Sequence, residues 1–420
     1  MGRSTSIDRD SKVGQQPSTK HDTHRPLLRA VQIRNYRSLS EVVVQLGGFT
    51  VLVGPNGSGK SNFVDSLAFV QEALTSTLTR AVQVRGGIEG VRRRSAGHPT
   101  NVGFRLELWL PGGRTASYSF EIAARPQGVF AVKRETCNIV EGGLIASTYD
   151  LREGEFAAAP PGIRPRIEPD RLALTVLSAV EEFREIYDFL AGMRFYSLVP
   201  EHIRDLQDPD TGISLKRDGS NAAAVLREIQ VRNAEDHERI ARLLGKVVPG
   251  ITGVEYDHIG SKETIRFRQQ VGTKHPWAFP PINMSDGTLR VLGLLLAIFQ
   301  WPPPPIVVLE EPESTVHPAA VDVLMDVFKE GQRRSQLLLT THSPDILDSS
   351  KISEEELRVV TSTNGRTHIS PLGKISRKAV RERLYTAGDL MRINDLEPDL
   401  EASDALSQQL DLFGPLPESQ

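Results

Sequence analysis

Three short stretches of this chain carry residue types whose spacing suits phosphate chemistry. Residues 54–61 read GPNGSGKS, the pattern G-x-x-x-x-G-K-[ST], after an apolar run at 49–53 and before a helical pattern. Glycines let a backbone curl until successive N–H groups point at phosphate oxygens. A helix opening at Lys60 adds the positive end of its dipole. On this reading Gly54, Pro55, Asn56, Gly57, Ser58 and Gly59 form the cradle for a nucleoside triphosphate, followed by Lys60, Ser61 and Asn62 at the helix start. Lys60 reaches the β and γ phosphates, and Ser61 holds Mg2+.

The second stretch, IVVLEEPE at 306–313, is an apolar strand expected beside the loop's own strand, with acids at its carboxyl end. Ligands of open α/β sheets sit there. Glu310 would orient the Mg2+ shell, and Glu311 would polarise the attacking water. The third, QLLLTTH at 336–342, ends in His342, whose imidazole could bond the γ-phosphate and report its presence. A fourth stretch, PINMSDGTLRVLGLLLAIF at 281–299, puts a hydroxyl, an acid and a glycine at the start of a wholly apolar helix, far downstream of the loop.

The elements that must position these residues can be read from periodicity. Val102, Phe104, Leu106, Leu108 and Leu110 alternate, PGG turns the chain, and Tyr118, Phe120 and Ile122 return. GVFAVKRE follows as a third strand, so the first part of the chain is expected to hold an antiparallel sheet. Residues 150–172, rich in Pro, Arg and Ala, read as an exposed loop. From 173 to 248 the pattern is mostly helical, with Ser220 or Asn221 as N-cap of AAAVLREIQ. ITGVEYDHI and TIRFRQQ read as strands. Val321, Leu324, Met325 and Phe328 mark one face of a helix.

Composition sets outer bounds. The chain has 420 residues, 39% hydrophobic and 25% charged, with a net charge of −3, so any nucleic-acid surface must be local. The single cysteine, Cys137, reads as a small half-buried apolar residue and fits a reducing cytoplasm. No apolar run reaches membrane-spanning length. The N-terminal 26 residues are polar and read as disordered, without a secretory signal, although MGRSTS fits the loose N-myristoylation pattern. Arg80, Arg85, Arg92, Arg93 and Arg94, against one Glu89, form a cationic strip suited to a phosphate backbone. Residues 398–420 read as a flexible acidic extension.

Taken together, the motifs resemble ABC-type ATPase heads, in particular the RecF/SMC/OLD branch. IRNYRSL ahead of the loop is similar to that branch's first strand, SDGTLR stands at its signature motif, and EEPE followed by HP resembles its acid-pair strand. FYSLVPEHIRD and KRDGSNAAAVL resemble stand-alone bacterial ATPases of RecF/OLD type. The resemblance spans about 27–397 and implies an α/β head with a P-loop mixed sheet and an antiparallel β subdomain (27–150), a helical signature-bearing lobe (151–300), and the acidic-pair and switch-histidine strands (301–397). Glu310 stands where most such heads carry Asp, and the Q-loop glutamine has no clear counterpart; Gln71 reads as packing.

The resemblance further implies ATP and Mg2+ as ligands and an ATP-dependent homodimer. Ser285 and Gly287 would meet the γ-phosphate bound by a second copy's loop, while Asp286 caps its own helix and points away. It implies ATP hydrolysis, a role in DNA repair or phage defence, and a separate effector protein, because the stretch after His342 is too short for a Toprim nuclease domain. Alternatives are an ABC transporter's ATPase subunit, or a regulatory switch with negligible hydrolysis. Gln409, Leu410, Asp411, Leu412 and Phe413 (QLDLF) resemble the pentapeptide by which bacterial proteins hold the DNA sliding clamp.

Overall fold

The computed structural model describes residues 25–94, 101–272, 275–409 and 411–414. The N-terminal segment read as disordered lies outside them, apart from Arg25 and Pro26. In chain order the strands are β1 (Leu27–Tyr36), β2 (Leu39–Gln45), β3 (Phe49–Val53), β4 (Asn101–Leu110), β5 (Arg114–Ala124), β6 (Phe130–Glu141), β7 (Leu144–Arg152) and β8 (Glu155–Ala158). They continue as β9 (Arg194–Tyr196), β10 (Ile251–Ile259), β11 (Lys262–Gln269), β12 (Trp277–Phe279), β13 (Ile306–Glu310), β14 (Gln336–Thr341), β15 (Leu357–Thr363) and β16 (Arg366–Pro371).

The central sheet has the order β16-β15-β3-β14-β13-β9. It is parallel except for the β15–β16 hairpin. A parallel sheet is covered on both faces, so its strands read as unbroken apolar runs. The runs 49–53, 306–309 and 336–341 are buried throughout. On one face Leu52, Val308 and Leu338 pack with Phe63 and Leu67 of the helix Lys60–Thr75 and with the antiparallel sheet. On the other, Val51, Val307, Leu309 and Leu339 pack against the helix Asp286–Phe299. That helix is apolar all round because it is enclosed from Leu289 to Phe299, with only Arg290 part-exposed.

This order corrects one expectation. The acid strand β13 does not lie beside β3; β14 is hydrogen-bonded between them. At the usual interstrand spacing the P-loop strand and the acid strand are about 10 Å apart. The end of β14, not β13, is the P-loop's neighbour.

The expected antiparallel sheet is present and larger than read, with the order β2-β1-β4-β5-β6-β7-β8. The stretch 150–172 is only partly loop: β7 runs to Arg152, β8 follows, and Ile167 and Leu172 are buried. Within the sheet, the Glu135 carboxylate is fully enclosed. It accepts from the Tyr118 hydroxyl (3.1 Å), the Tyr149 hydroxyl (2.8 Å) and the backbone N–H groups of Ala173 (2.5 Å) and Leu174 (2.9 Å). Burial raises its pKa against the pull of these donors. Cys137 on the same strand is also fully buried, more than the sequence suggested, and burial pushes its thiol pKa up.

The acidic tail is a second correction. The helix Leu400–Gln409 packs along β2 and β16, and the Ser403 hydroxyl donates to Ile369 O at 3.4 Å. Residues 411–414 then lie on the outer face of β4. Leu412 is 0% exposed and fills the space above Gly103, where a Cβ would come within 2.6 Å of it. The buried Arg105 guanidinium donates to Asp411 O (3.1 Å) and Gly414 O (2.7 Å), and bonds Glu107 at 2.9 Å. Phe413 lies 4.4 Å under the Arg134 guanidinium. The clamp-like apolar residues Leu412 and Phe413 are therefore docked on the head. Leu410 and the Gln409 side chain lie outside the described residues. Alternating β4 showed its inner face in the sequence; Gly103, Arg105 and Glu107 on the outer face gave no sign that a distant segment covers them.

Candidate functional site

The P-loop follows β3 directly. Gly57 and Gly59 have φ of 77° and 108°, which non-glycine residues rarely adopt. Two contacts also exclude a side chain. A Cβ on Gly54 would lie 2.2 Å from Val360 O, and one on Gly59 would lie 2.0 Å from the Thr367 hydroxyl. The β15–β16 hairpin thus forms the floor of the loop. Buried Thr367 donates to Ser58 O at 3.0 Å and lies 2.7 Å from the Ser38 hydroxyl. Asn62 donates to Ser38 at 2.7 Å, so its amide braces the loop from below. Pro55, Asn56, Gly57 and Ser61 face solvent.

Lys60 is buried, and its ammonium donates to Gly54 O (2.7 Å) and Pro55 O (3.0 Å). Burial lowers its pKa, while the Glu311 and Glu313 carboxylates oppose that shift. It is a cation held among carbonyls at the mouth of a loop of N–H groups, which an anion can draw outward.

Glu310, Glu311 and His342 come together at the carboxyl ends of β13 and β14. Glu311 has a φ of 45° and its N–H donates to Thr340 O at 3.0 Å, which turns the chain sharply at the strand end. Its Oε1 lies 3.1 Å from His342 Nδ1, both side chains being 40% exposed. Such a pair can hold and orient a water and take up its proton. Glu310 Oε1 accepts from Arg217 Nη2 at 2.8 Å.

Two residues here were missed in the sequence. Glu313 is buried, its Oε1 lies 2.5 Å from the Thr341 hydroxyl, and its Oε2 has no partner among the described residues. Burial raises its pKa, opposed by the Thr341 hydroxyl. Arg217 lies within the KRDGSNAAAVL stretch that carries part of the family resemblance, but no role at the site was read for it. The EEPE spacing hinted at the first; for the second, the quoted KRDGSNAAAVL stretch marked the segment but not its contact with Glu310.

At the downstream helix, Ser285 is the N-cap and accepts from Thr288 N at 3.2 Å. It is exposed. The expectation that Asp286 caps its own helix is corrected: Ser285 is the cap, and Asp286 forms an ion pair with Arg204. Gly287 is needed inside its own chain: a Cβ there would lie 2.6 Å from Thr315 O, in the loop that follows Glu311.

Among the described residues, two of the five cations of the strip are paired with acids. Arg85 has a side chain only 6% exposed, bonded to Asp65 and Glu72 on the helix Lys60–Thr75. Arg92 pairs with Glu89 at 2.7 Å, and Arg93 is buried. Only Arg80 and Arg94 of the five are exposed. The sequence showed Glu89 beside Arg92, but not Asp65 and Glu72, which the fold brings to Arg85. Gln71 donates to Ala191 O at 3.3 Å, in keeping with packing.

The donors fit Mg2+ in kind. A hydroxyl at Ser61 and a carboxylate at Glu310 are hard oxygen donors, and Mg2+ is usually held by one or two such groups plus phosphates. Among the described residues no cluster of three or more His, Cys, Asp or Glu is arranged to hold a metal unaided. Nor, among them, is any helix long and apolar enough to cross a membrane.

The chain is 38% identical over 60 residues to the chromosome partition protein Smc of Methanocaldococcus jannaschii, covering 14% of this chain and 5% of that one. It is 25% identical over 255 residues to Smc of Gloeobacter violaceus, covering 60% and 19% respectively. The chain thus spans less than a fifth of these relatives. The solved Smc head bound to the C-winged helix domain of ScpA superposes with a TM-score of 0.53 at 14% identity, over 84% of this chain and 99% of that one, which shows a shared fold. With its match over residues 49–162 and 177–348, the chain belongs to the family described as "AAA domain, putative AbiEii toxin, Type IV TA system", an ABC-type ATPase head of the RecF/SMC branch.

Proposed function

We propose that the protein binds and hydrolyses ATP between two copies of itself and uses the nucleotide as a timed clamp. The observation that carries this reading is the pairing of two incomplete, solvent-facing halves. One is the P-loop with Glu311 and His342 at its side. The other is the exposed, Ser285-capped N-terminus of an enclosed apolar helix, which suits an anion from outside the chain. Lys60 leaves its carbonyl partners for the phosphates. Mg2+, when bound, would be held by Ser61 and Glu310 and would supply charge neutralisation for the phosphates. Glu311 and His342 orient water and accept its proton, and closure of the second copy excludes other water. Loss of the γ-phosphate removes the link, and the copies part.

The Smc relatives, named as chromosome partition proteins, support the DNA-maintenance side of this proposal, and the toxin–antitoxin wording of the family description its defence side; the separate effector protein is part of the proposal alone. The test is the state of Glu311→Gln in sedimentation. With ATP it should be trapped as a dimer, and with ADP it should be monomeric. Equal association with both nucleotides would contradict the reading.

A further inference from the structure

The loop that carries Arg217 is unusually well tied for a segment without secondary structure. Leu215 N donates to the Gln300 side chain (3.0 Å) at the end of the helix Asp286–Phe299, and Lys216 N donates to Asn221 Oδ1 (2.8 Å). Asn221 also donates to Ser214 O and Asp210, so the residue that stands at the N-cap of the helix Ala222–Arg232, as read from the sequence, spends its side chain on bracing this loop. Arg217 O and Asp218 O accept from Ser197 N (2.9 Å) and Val199 N (3.0 Å), just past β9. Since β9 pairs with β13, the loop is laid against the sheet at the acid strand's carboxyl end. Arg217 reaches from it to Glu310 at 2.8 Å, its side chain 54% exposed and that of Glu310 15%.

We propose that Arg217 is a place-holding cation for the metal at Glu310, a positioning residue that links metal occupancy to the lobe carrying Ser285. Glu310 is mostly enclosed and negative, and a guanidinium supplies its counter-charge in the nucleotide-free head. The Glu310 carboxylate would also help hold a divalent cation bound with ATP, and could not serve both cations at once. Arg217 then swings free to solvent, while its backbone remains fixed to the end of the Ser285 helix through Leu215 and Gln300. The two cations compete for one carboxylate, so the arginine raises the Mg2+ concentration needed for productive nucleotide binding. This proposal rests on the reading of Glu310 as a group of the metal site.

The experiment is a Mg2+ titration of binding of a fluorescent ATP analogue, by anisotropy, to the full chain. The variants are Arg217→Ala, Arg217→Lys, Glu310→Gln and the Arg217/Glu310 double substitution. An ion pair this exposed is expected to contribute up to about a 5-fold effect. Arg217→Ala should lower the half-saturating Mg2+ concentration by about 1.5- to 5-fold and leave affinity at saturating Mg2+ unchanged. Arg217→Lys should restore most of the wild-type dependence, and the double variant should match Glu310→Gln. An unchanged Mg2+ dependence in Arg217→Ala, with Glu310→Gln shifted, overturns the place-holder role alone. An unchanged dependence in Glu310→Gln overturns the metal reading and the proposal with it. A fall in affinity at saturating Mg2+ in Arg217→Ala assigns the arginine to the phosphates at all times and also overturns it.

Discussion

Replacing Leu412 by alanine tests whether the acidic tail is part of the head. Leu412 is wholly enclosed above Gly103, and its neighbours on either side hold Arg105 through their carbonyls. Truncating an enclosed leucine costs about 2–5 kcal/mol when the surroundings cannot collapse. Here the segment can also undock, which caps the loss at its docking free energy. That energy is itself modest. Burial of one leucine gives about 1.5–3 kcal/mol, the Arg105 bonds add to it, and ordering four residues costs about 1–2 kcal/mol each. The expected loss is therefore near the low end, about 2 kcal/mol. At about 2.1 cal/mol/K of unfolding entropy per residue over 420 residues, each kcal/mol lowers Tm by about 1 °C. Leu412→Ala should then lower Tm by about 2 °C. The sharper readout is hydrogen exchange. Amides of β4 around Gly103 and Arg105 should exchange faster in the variant, while those of β3 and β14 stay protected. Unchanged exchange on β4 would show that the tail does not dock there in solution.

Two further outcomes follow from particular contacts. Glu135→Ala leaves two buried tyrosine hydroxyls and two backbone N–H groups without their acceptor, and should destabilise the protein by about 3–5 kcal/mol in urea unfolding. Gly287→Ala must push the helix start away from Thr315 O and so disturb the loop after Glu311; ATP turnover should fall several-fold while fluorescent-nucleotide binding to the P-loop is retained.

The legible parts of the fold were those where local sequence and tertiary environment agree. Apolar runs at β3, β13 and β14 announced a covered parallel sheet, and GPNGSGKS announced its loop, because burial on both faces and positive φ each restrict residue choice locally. The strand order did not follow from the runs, since any of the three could have been central. The Arg85 pairs with Asp65 and Glu72 could not be read from a cationic segment, because the acids come from another element. Arg217 and Thr367 reach the site by the same route: their positions depend on where a loop and a hairpin land against the sheet, which no spacing encodes. Glu313 lay in plain view, but its burial depends on Thr341 of the neighbouring strand.

The most direct test of the composite pocket is complementation between two inactive chains. Lys60→Ala lacks a working P-loop and Ser285→Arg lacks a working helix start, so each alone should show almost no ATP turnover. Mixed in equal amounts and pairing at random, half of the dimers hold both variants and each of these rebuilds one intact pocket, so turnover should recover to about a quarter of wild type. Recovery of that size is the predicted result. Mixtures no more active than either variant alone, or full activity in Ser285→Arg by itself, would contradict the account.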